Sequence, residues 1–323
     1  MDPIFNVTIP VYNRLQLTQR TILKLRNLTR HLPLSITVVD NGSDEELRKR
    51  LITFAEEKII DQLFILDKNY GISFACNLGW RSLNAPIFVK IDNDILITNR
   101  NFFTEIFELF KIFGTNATIG PTPEIYGRSK ESFDTKYGHI GICTSNLPGC
   151  ALFIPKEISE TVGYFNEDYG LYGSEDWDYG LRMNFLGLKQ YFYEMSKYIE
   201  HLGTDKSDYQ HTSLDKTKEH RRLVQEEDGG IGLVALNAIL YELSIRHWNV
   251  PLRYEVYDQD GYFVRVSERK AYQKVKDALA ESKKIADSVL VNYQGRIRNK
   301  DLLNFTEDHI RELKSIWANC EQA

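Results

Sequence analysis

Ile87-Phe88-Val89-Lys90-Ile91-Asp92-Asn93-Asp94 runs from a strand-forming apolar segment straight into two acids. Acidic residues are poor strand formers and are rarely buried without a reason, so a pair of them closing such a run points to a ligand or to a polar turn. Upstream, short β-branched runs alternate with amphipathic segments. Strands are predicted at Val7–Pro10, Ser35–Val39, Leu63–Leu66 and Ile87–Ile91, and helices at Leu15–Leu28, Glu45–Glu57 and Ile72–Leu83. Alternation of this kind predicts an α/β fold with a mostly parallel central sheet covered by helices on both faces. Such sheets bind ligands at the carboxyl ends of their strands, where Asp40, Asp92 and Asp94 fall.

Beyond Asn101 the pattern changes. A helix to Phe113 is followed by a glycine-, proline- and tyrosine-rich stretch, 114–149, and then by a strand at Cys150–Ile154 and a helix at Pro155–Val162. After the glycine-rich loop 166–173 come a helix at Asp176–Leu186 and a strand at Gln190–Tyr193. Residues 204–214 are polar and expected to be mobile. Helices are expected at Asp215–Glu227, Gly232–His247, Glu268–Ala286 and Thr306–Asn319, with a hairpin at Arg253–Val266 turning around Asp258-Gln259-Asp260-Gly261. Residues 1–204 therefore read as one domain, and 205–323 as a mainly helical C-terminal region open to a ligand-binding, oligomerisation or partner role.

With 323 residues, 42% hydrophobic and 26% charged, the chain has the composition of a globular protein. Its net charge of −5 gives no electrostatic drive toward nucleic acid, and none is expected as a partner. Cys76, Cys143, Cys150 and Cys320 lack CxxC spacing and read as reduced thiols. No secretory signal precedes Val7 and no apolar run could span a bilayer, so a cytoplasmic location is expected. Peripheral membrane association through the C-terminal helices and oligomerisation stay open.

Three features carry chemistry. Asp92 and Asp94 supply hard oxygen ligands suited to Mg²⁺ or Mn²⁺ bridging a diphosphate, and His201, following an aromatic strand, would be a further ligand that slightly favours Mn²⁺. Glu175 and Asp176 open a helix after Gly173-Ser174. The plainest account of them is an N-terminal turn favoured by the helix dipole at about 0.3–1 kcal/mol per acid. Three acids in four residues exceed that need, and one of them could act as a general base. Trp177 reads equally as a stacking wall beside that base or as a core residue.

These parts resemble, in order, the family 2 glycosyltransferases with the GT-A (Rossmann-like) fold, especially their rhamnosyltransferase-like branch. The resemblance covers roughly residues 6–203. It rests on Pro10-Val11-Tyr12-Asn13-Arg14, Val39-Asp40-Asn41-Gly42-Ser43-Asp44, and Asn69-Tyr70-Gly71 with Ala75, Asn77 and Gly79. It continues in the DXD motif Asp92-Asn93-Asp94, Val162-Gly163-Tyr164-Phe165-Asn166-Glu167, Glu175-Asp176-Trp177-Asp178 with Leu181-Arg182, and His201. The resemblance implies an inverting, metal-dependent hexosyl- or deoxyhexosyl-transferase that moves a sugar from a nucleoside-diphosphate donor to an acceptor hydroxyl, expected on a glycan. By the same resemblance Pro10, Tyr12 and Arg14 border the nucleotide and Asp40 bonds the base or ribose. Asn69, Gly71 and Asn77 flank the donor, Asp92 with Asn93 faces the ribose or sugar, and Asp94 and His201 hold Mn²⁺ or Mg²⁺. Asp176 is then the base, with Glu175 orienting the acceptor or sharing the task. The chain departs from the family in having Tyr164 and Asn166 within its Gly-Phe-Asp-Glu segment and Trp177 where small aliphatic residues are usual, changes that bear on acceptor identity. A nucleotidyltransferase is a competing reading, weakened because Pro10–Arg14 lacks the glycine-rich triphosphate loop. A glycoside hydrolase or a non-catalytic nucleotide-sugar-binding protein are the others.

Overall fold

The computed structural model describes residues 2–123, 127–171, 173–203, 216–291, 293–295, 297, 299–318 and 320. The segment 204–214 expected to be mobile lies outside the described residues. The amino-terminal alternation is present: β1 (Phe5–Val11), α1 (Leu15–Thr29), β2 (Leu34–Asp40), α2 (Glu45–Glu56), β3 (Gln62–Leu66), α3 (Ile72–Arg81) and β4 (Ile87–Ile91). There follow β5 (Ile95–Ile97), α4 (Phe102–Phe113), β6 (Ala117–Pro121), β7 (Arg128–Thr135), β8 (Gly138–Cys143), β9 (Ala151–Pro155), α5 (Lys156–Val162), α6 (Glu175–Phe185), β10 (Lys189–Tyr193) and β11 (Ile199–His201). The remainder comprises α7 (Lys216–Val224), α8 (Leu233–Glu242), β12 (Tyr254–Asp260), β13 (Phe263–Glu268), α9 (Tyr272–Val289), α10 (Asn299–Leu302) and α11 (Glu307–Trp317).

One sheet organises the molecule, in the order β12-β13-β3-β2-β1-β4-β9-β6-β10-β8-β7. Strands β13, β3, β2, β1 and β4 run parallel. Beyond β4 the chain turns antiparallel through β9, and β6 and β10 form a second parallel pair before the edge hairpin of β8 and β7. The expected C-terminal hairpin forms with its turn at Gly261-Tyr262, and it extends the sheet by pairing β13 with β3. The glycine-, proline- and tyrosine-rich stretch 114–149, for which no strand was predicted, contains β6, β7 and β8.

Strand β4 shows how the sheet aims chemistry at one edge. All five of its residues are buried, and successive side chains point to opposite faces. Ile87, Val89 and Ile91 enter a cluster with Phe102, Phe103 and Phe153. Phe88 points the other way, stacked on Trp80 with ring centroids 4.0 Å apart, in a second cluster with Phe165 and Tyr179. The same alternation puts Lys90 and then Asp92 on the Phe88 side, where the chain leaves the sheet. A separate two-stranded ribbon, β5 with β11, pairs Ile95 with His201.

The C-terminal helices bury a cluster of their own around Ile239, Val275, Leu313 and Trp317. They also grip the turn before α6. Asp168 pairs with Arg246, is bonded by Tyr272, and accepts from Asn237 Nδ2 at 3.1 Å. Glu167 Oε2 accepts the backbone N–H groups of Arg253 (2.7 Å) and Tyr254 (3.0 Å).

Candidate functional site

The carboxyl ends of β1, β2 and β4 meet the start of α6 and the ribbon. Asn13 (φ 57°) and Arg14 (φ 66°) take left-handed backbone conformations at the mouth of α1, which few non-glycine residues adopt without a local reason. The bend sends Arg14 Nη1 to Asp94 Oδ2 at 2.8 Å. His201 Nε2 stands 3.3 Å from the same oxygen, and the Leu202 N–H donates to the Asp94 carbonyl at 2.8 Å. Burial works against the Asp94 anion, but His201 and Arg14 overcome it and hold its carboxyl at about 2. The Asp94 Oδ1 atom is buried with no hydrogen-bond partner among the described residues. Gly203 closes this corner: a Cβ there would lie 2.1 Å from Asp94 Oδ2 and 2.2 Å from Arg14 Nη2.

A buried carboxylate oxygen without a partner is costly unless something occupies it. That orphaned atom beside an imidazole fits a divalent cation, with Asp94 and His201 as its protein ligands. Among the described residues no group of three or more acidic, histidine or cysteine side chains converges as a complete cage. The remaining positions would thus fall to ligand oxygens or water, the usual arrangement for Mg²⁺ at phosphates.

Across the floor lies Lys90, to which the sequence reading gave no role. It is 1% exposed, and its Nζ donates to Asp92 Oδ1 (2.7 Å) and the Gly149 carbonyl (2.6 Å) while standing 3.3 Å from Glu175 Oε1. Burial opposes its charge, yet Asp92 and Glu175 together keep it protonated well above the ordinary lysine range. A lysine inside an otherwise apolar strand was the available signal, because such a charge must find partners.

Ser174, at φ 67°, turns the chain into α6 and sets Glu175 and Asp176 side by side. Glu175 is buried and its carboxyl is pushed up to about 7, by burial above all and by its acidic neighbours, with Lys90 opposing. Asp176 is half-buried, and its carboxyl is also raised by burial. The Gly149 N–H donates to Asp176 Oδ2 at 2.8 Å and the Trp177 N–H to Oδ1 at 2.7 Å. Trp177, 36% exposed, lies beside the acids at the surface rather than in the core. Asp178 and Arg182 are wholly buried and paired at 2.6 Å, and Arg182 also holds the carbonyls of Val162, Tyr164 and Trp248, so these two hold the fold.

The other sequence-predicted residues divide between surface and scaffold. Pro10 and Tyr12 are half-buried at the end of β1. Asp40 is fully buried, takes the Ser43 N–H at 2.9 Å and faces Arg48 at 3.5 Å. Asn69 Oδ1 accepts from Asn41 Nδ2 and from the Gly71 N–H, both at 2.9 Å, tying the loop after β3 to the end of β2. Gly71 (φ 96°) passes so close to Gly170 that a Cβ would sit 2.1 Å from its carbonyl oxygen. Asn93 donates to Thr18 Oγ1 at 2.9 Å. Asn77 is fully buried, and its amide clamps both backbone groups of Phe165 and Glu167 Oε1 at 2.8–3.0 Å. The structure thus gathers Arg14, Asp92, Asp94, His201, Glu175 and Asp176 around Lys90 and its neighbours, and places Asn77 in the packing beneath.

The four cysteines form no disulfide among the described residues, and no described helix is long and apolar enough to cross a membrane.

Residues 6–150 match the family model for glycosyl transferase family 2. Validoxylamine A glucosyltransferase of Streptomyces hygroscopicus subsp. jinggangensis is 32% identical over 95 residues, 29% of this chain and 22% of that protein. Chondroitin synthase of Pasteurella multocida is 26% identical over a 223-residue alignment covering 55% of this chain and 22% of that one. The chain spans about a fifth of the length of these curated relatives. A mannosyltransferase of Pyrobaculum calidifontis, solved in complex with GDP-Man and Mn²⁺, shares the fold with a TM-score of 0.53 at 14% identity, covering 99% of this chain and 86% of that one.

Proposed function

We propose, because residues 6–150 match the model for glycosyl transferase family 2, that this chain transfers a sugar, with inversion, from a nucleoside-diphosphate donor to a hydroxyl of a glycan acceptor. The observation that carries the reading is the convergence of two kinds of acid at one sheet edge. Asp94 lies beside His201 with an orphaned oxygen, and Asp92 is joined through Lys90 to Glu175, the neighbour of Asp176. The first set suits a diphosphate and its cation; the second suits proton removal.

In this reading the end of β1 with Arg14, the Asp40 turn and the Asn69–Gly71 loop border the nucleotide, and Asp92 faces the sugar. Asp94 and His201 would hold Mn²⁺ or Mg²⁺, which when bound supplies positive charge to the departing diphosphate. Asp176, the more exposed of the paired acids and fixed by two backbone N–H groups, takes the acceptor hydroxyl proton. The acceptor oxygen bonds to the anomeric carbon on the face opposite the nucleotide, the bond from that carbon to the diphosphate oxygen breaks, and nucleoside diphosphate leaves with the electron pair. Glu175 orients the acceptor side, and burial raises the basicity of Asp176. Trp177 offers a flat apolar surface on which a sugar ring can rest.

The test is release of nucleoside diphosphate from a panel of UDP-, GDP- and dTDP-sugars with Mn²⁺ and soluble oligosaccharide acceptors. Asp176→Asn should bind the effective donor as the wild type does and lose roughly 10²–10⁴-fold in turnover, the usual worth of a general base. Unchanged turnover in that variant overturns the assignment of the base. Release from no donor in the wild type overturns the reaction class.

A further inference from the structure

We infer that Lys90 is a positioning residue, the buried cation around which the donor-facing and acceptor-facing carboxylates of this site are organised. The inference deepens the transferase reading and rests on it for the names of those two faces. The geometry itself stands independently. Lys90 sits in a strand whose other four residues are apolar, and each close polar neighbour of its ammonium leads to a different part of the site. Asp92, at 2.7 Å, closes the donor side; Glu175, at 3.3 Å, opens α6 on the base side. The third neighbour is the Gly149 carbonyl at 2.6 Å, and the N–H of that same residue donates to Asp176 at 2.8 Å. Gly149 is therefore pinned between lysine and base. A Cβ at this position would lie 3.1 Å from both Lys90 Nζ and Asp176 Cβ, so the spacing suits a residue without a side chain.

The charges explain why a cation is needed here. Glu175 and Asp176 bring two adjacent carboxyl groups to one low-dielectric corner beside Asp92, and burial works against the charge of both, so that charge needs compensation. Among the described residues, Cys76 of α3 and Cys150 before β9 also face this corner, thiols that burial pushes up and keeps neutral, and Asp94 reaches it from the far side of Cys150. Lys90 offsets part of the acidic charge, and both Glu175 and Asp176 are held lower by it than burial alone would leave them. It thereby keeps a base available near neutral pH while fixing the distance between the two halves of the site. A lysine that served only to fill the core would influence stability and nothing else.

The experiment is a pH titration of the aspartate and glutamate side-chain carboxyl carbons by NMR in the wild type and in Lys90→Met, assigned with Glu175→Gln. It is run beside the pH profile of nucleoside-diphosphate release. Lys90→Met should move the Glu175 titration up by about one unit or more. The Asp176 titration should move up as well, and the acid limb of the rate profile with it, so that the rate at a fixed pH on that limb falls about tenfold or more, with the loss in kcat exceeding the rise in KM. Should Lys90→Met fail to fold, Lys90→Met combined with Glu175→Gln removes both members of the pair, and its Asp176 titration must lie above that of Glu175→Gln alone. Titrations unmoved by loss of the lysine overturn the inference whether or not the protein transfers sugar. Titrations that move in a protein releasing no nucleoside diphosphate sustain the lysine's role in organising the carboxylates and overturn the transferase reading instead.

Discussion

Replacing Arg246 by methionine tests whether the C-terminal region holds the turn before α6 in place. Arg246 and Asp168 are 2% and 1% exposed and form a direct ion pair 78 residues apart in sequence, at the turn that leads through Gly170 to Glu175. Methionine keeps most of the volume and removes the charge. Asp168 then retains Tyr272 and Asn237 as donors but loses the one cation paired with it among the described residues. Breaking a buried pair by removing one member costs about 3–5 kcal/mol, and for a chain of this size that lowers Tm on the order of 10 °C. The pH dependence carries the sharper test. Burial opposes the Asp168 charge, but Arg246 outweighs it and holds the carboxyl below its ordinary value. In the wild type this group's contribution is therefore present above the unfolded carboxylate range, near pH 4, and is lost as pH falls through the lower folded value. Without Arg246, burial alone raises the folded value, so the variant weakens as pH rises. The stability deficit should be largest at pH 7 and shrink toward pH 4.5, as measured by urea unfolding at each pH. Adding Asp168→Asn should restore more than half of the loss at pH 7. An equal deficit at both pH values, or no recovery in the double variant, refutes the argument.

Other substitutions separate the site from its scaffold. Gly203→Ala would drive a methyl group to 2.1 Å from Asp94 Oδ2 and should displace the Arg14–Asp94 pair. Binding of Mn²⁺, followed by its paramagnetic relaxation of water, should weaken about tenfold or more, as loss of a supporting contact around a metal ligand usually does, with the far-ultraviolet circular dichroism unchanged. Asn77→Ala leaves the Phe165 backbone groups and Glu167 without their shared amide and should lower stability by about 1–3 kcal/mol in urea titrations. Gly71→Ala combines a left-handed backbone with a 2.1 Å approach to the Gly170 carbonyl. It should shift the 170–174 loop and cut transfer more than it cuts stability, a split read by comparing kcat with the unfolding midpoint.

Much of the parallel half of the fold was legible because its signals are local. The β1–β4 runs are β-branched and uninterrupted, α1–α3 carry their own periodicity, and the acids follow directly on strand ends. The stretch 114–149 was not, since β7 reads Arg128-Ser129-Lys130-Glu131-Ser132-Phe133-Asp134-Thr135, an exposed edge strand without apolar alternation. The juxtaposition of His201 with Asp94 depends on strands of three residues each, too short to carry a period, although the motif order had suggested the pair. That β12 and β13 would lengthen the central sheet rests on pairing with β3 across some 200 residues of chain, and Asp168 meets Arg246 across 78. No local pattern encodes either. Lys90 is the reverse case: the alternation of β4 already put it on the face of Asp92, and only its charge in an apolar run announced that it had partners.

The transferase reading requires that this sheet edge bind a nucleoside diphosphate through a divalent cation. A thermal-shift panel of UDP, GDP, dTDP and CDP, each with Mn²⁺ or with EDTA, measures it directly, because a ligand that binds only the folded state raises Tm. A rise is expected with one nucleotide in the presence of Mn²⁺, abolished by EDTA and by Asp94→Asn. No rise with any of the four, or a rise that persists unchanged in EDTA and in Asp94→Asn, contradicts it.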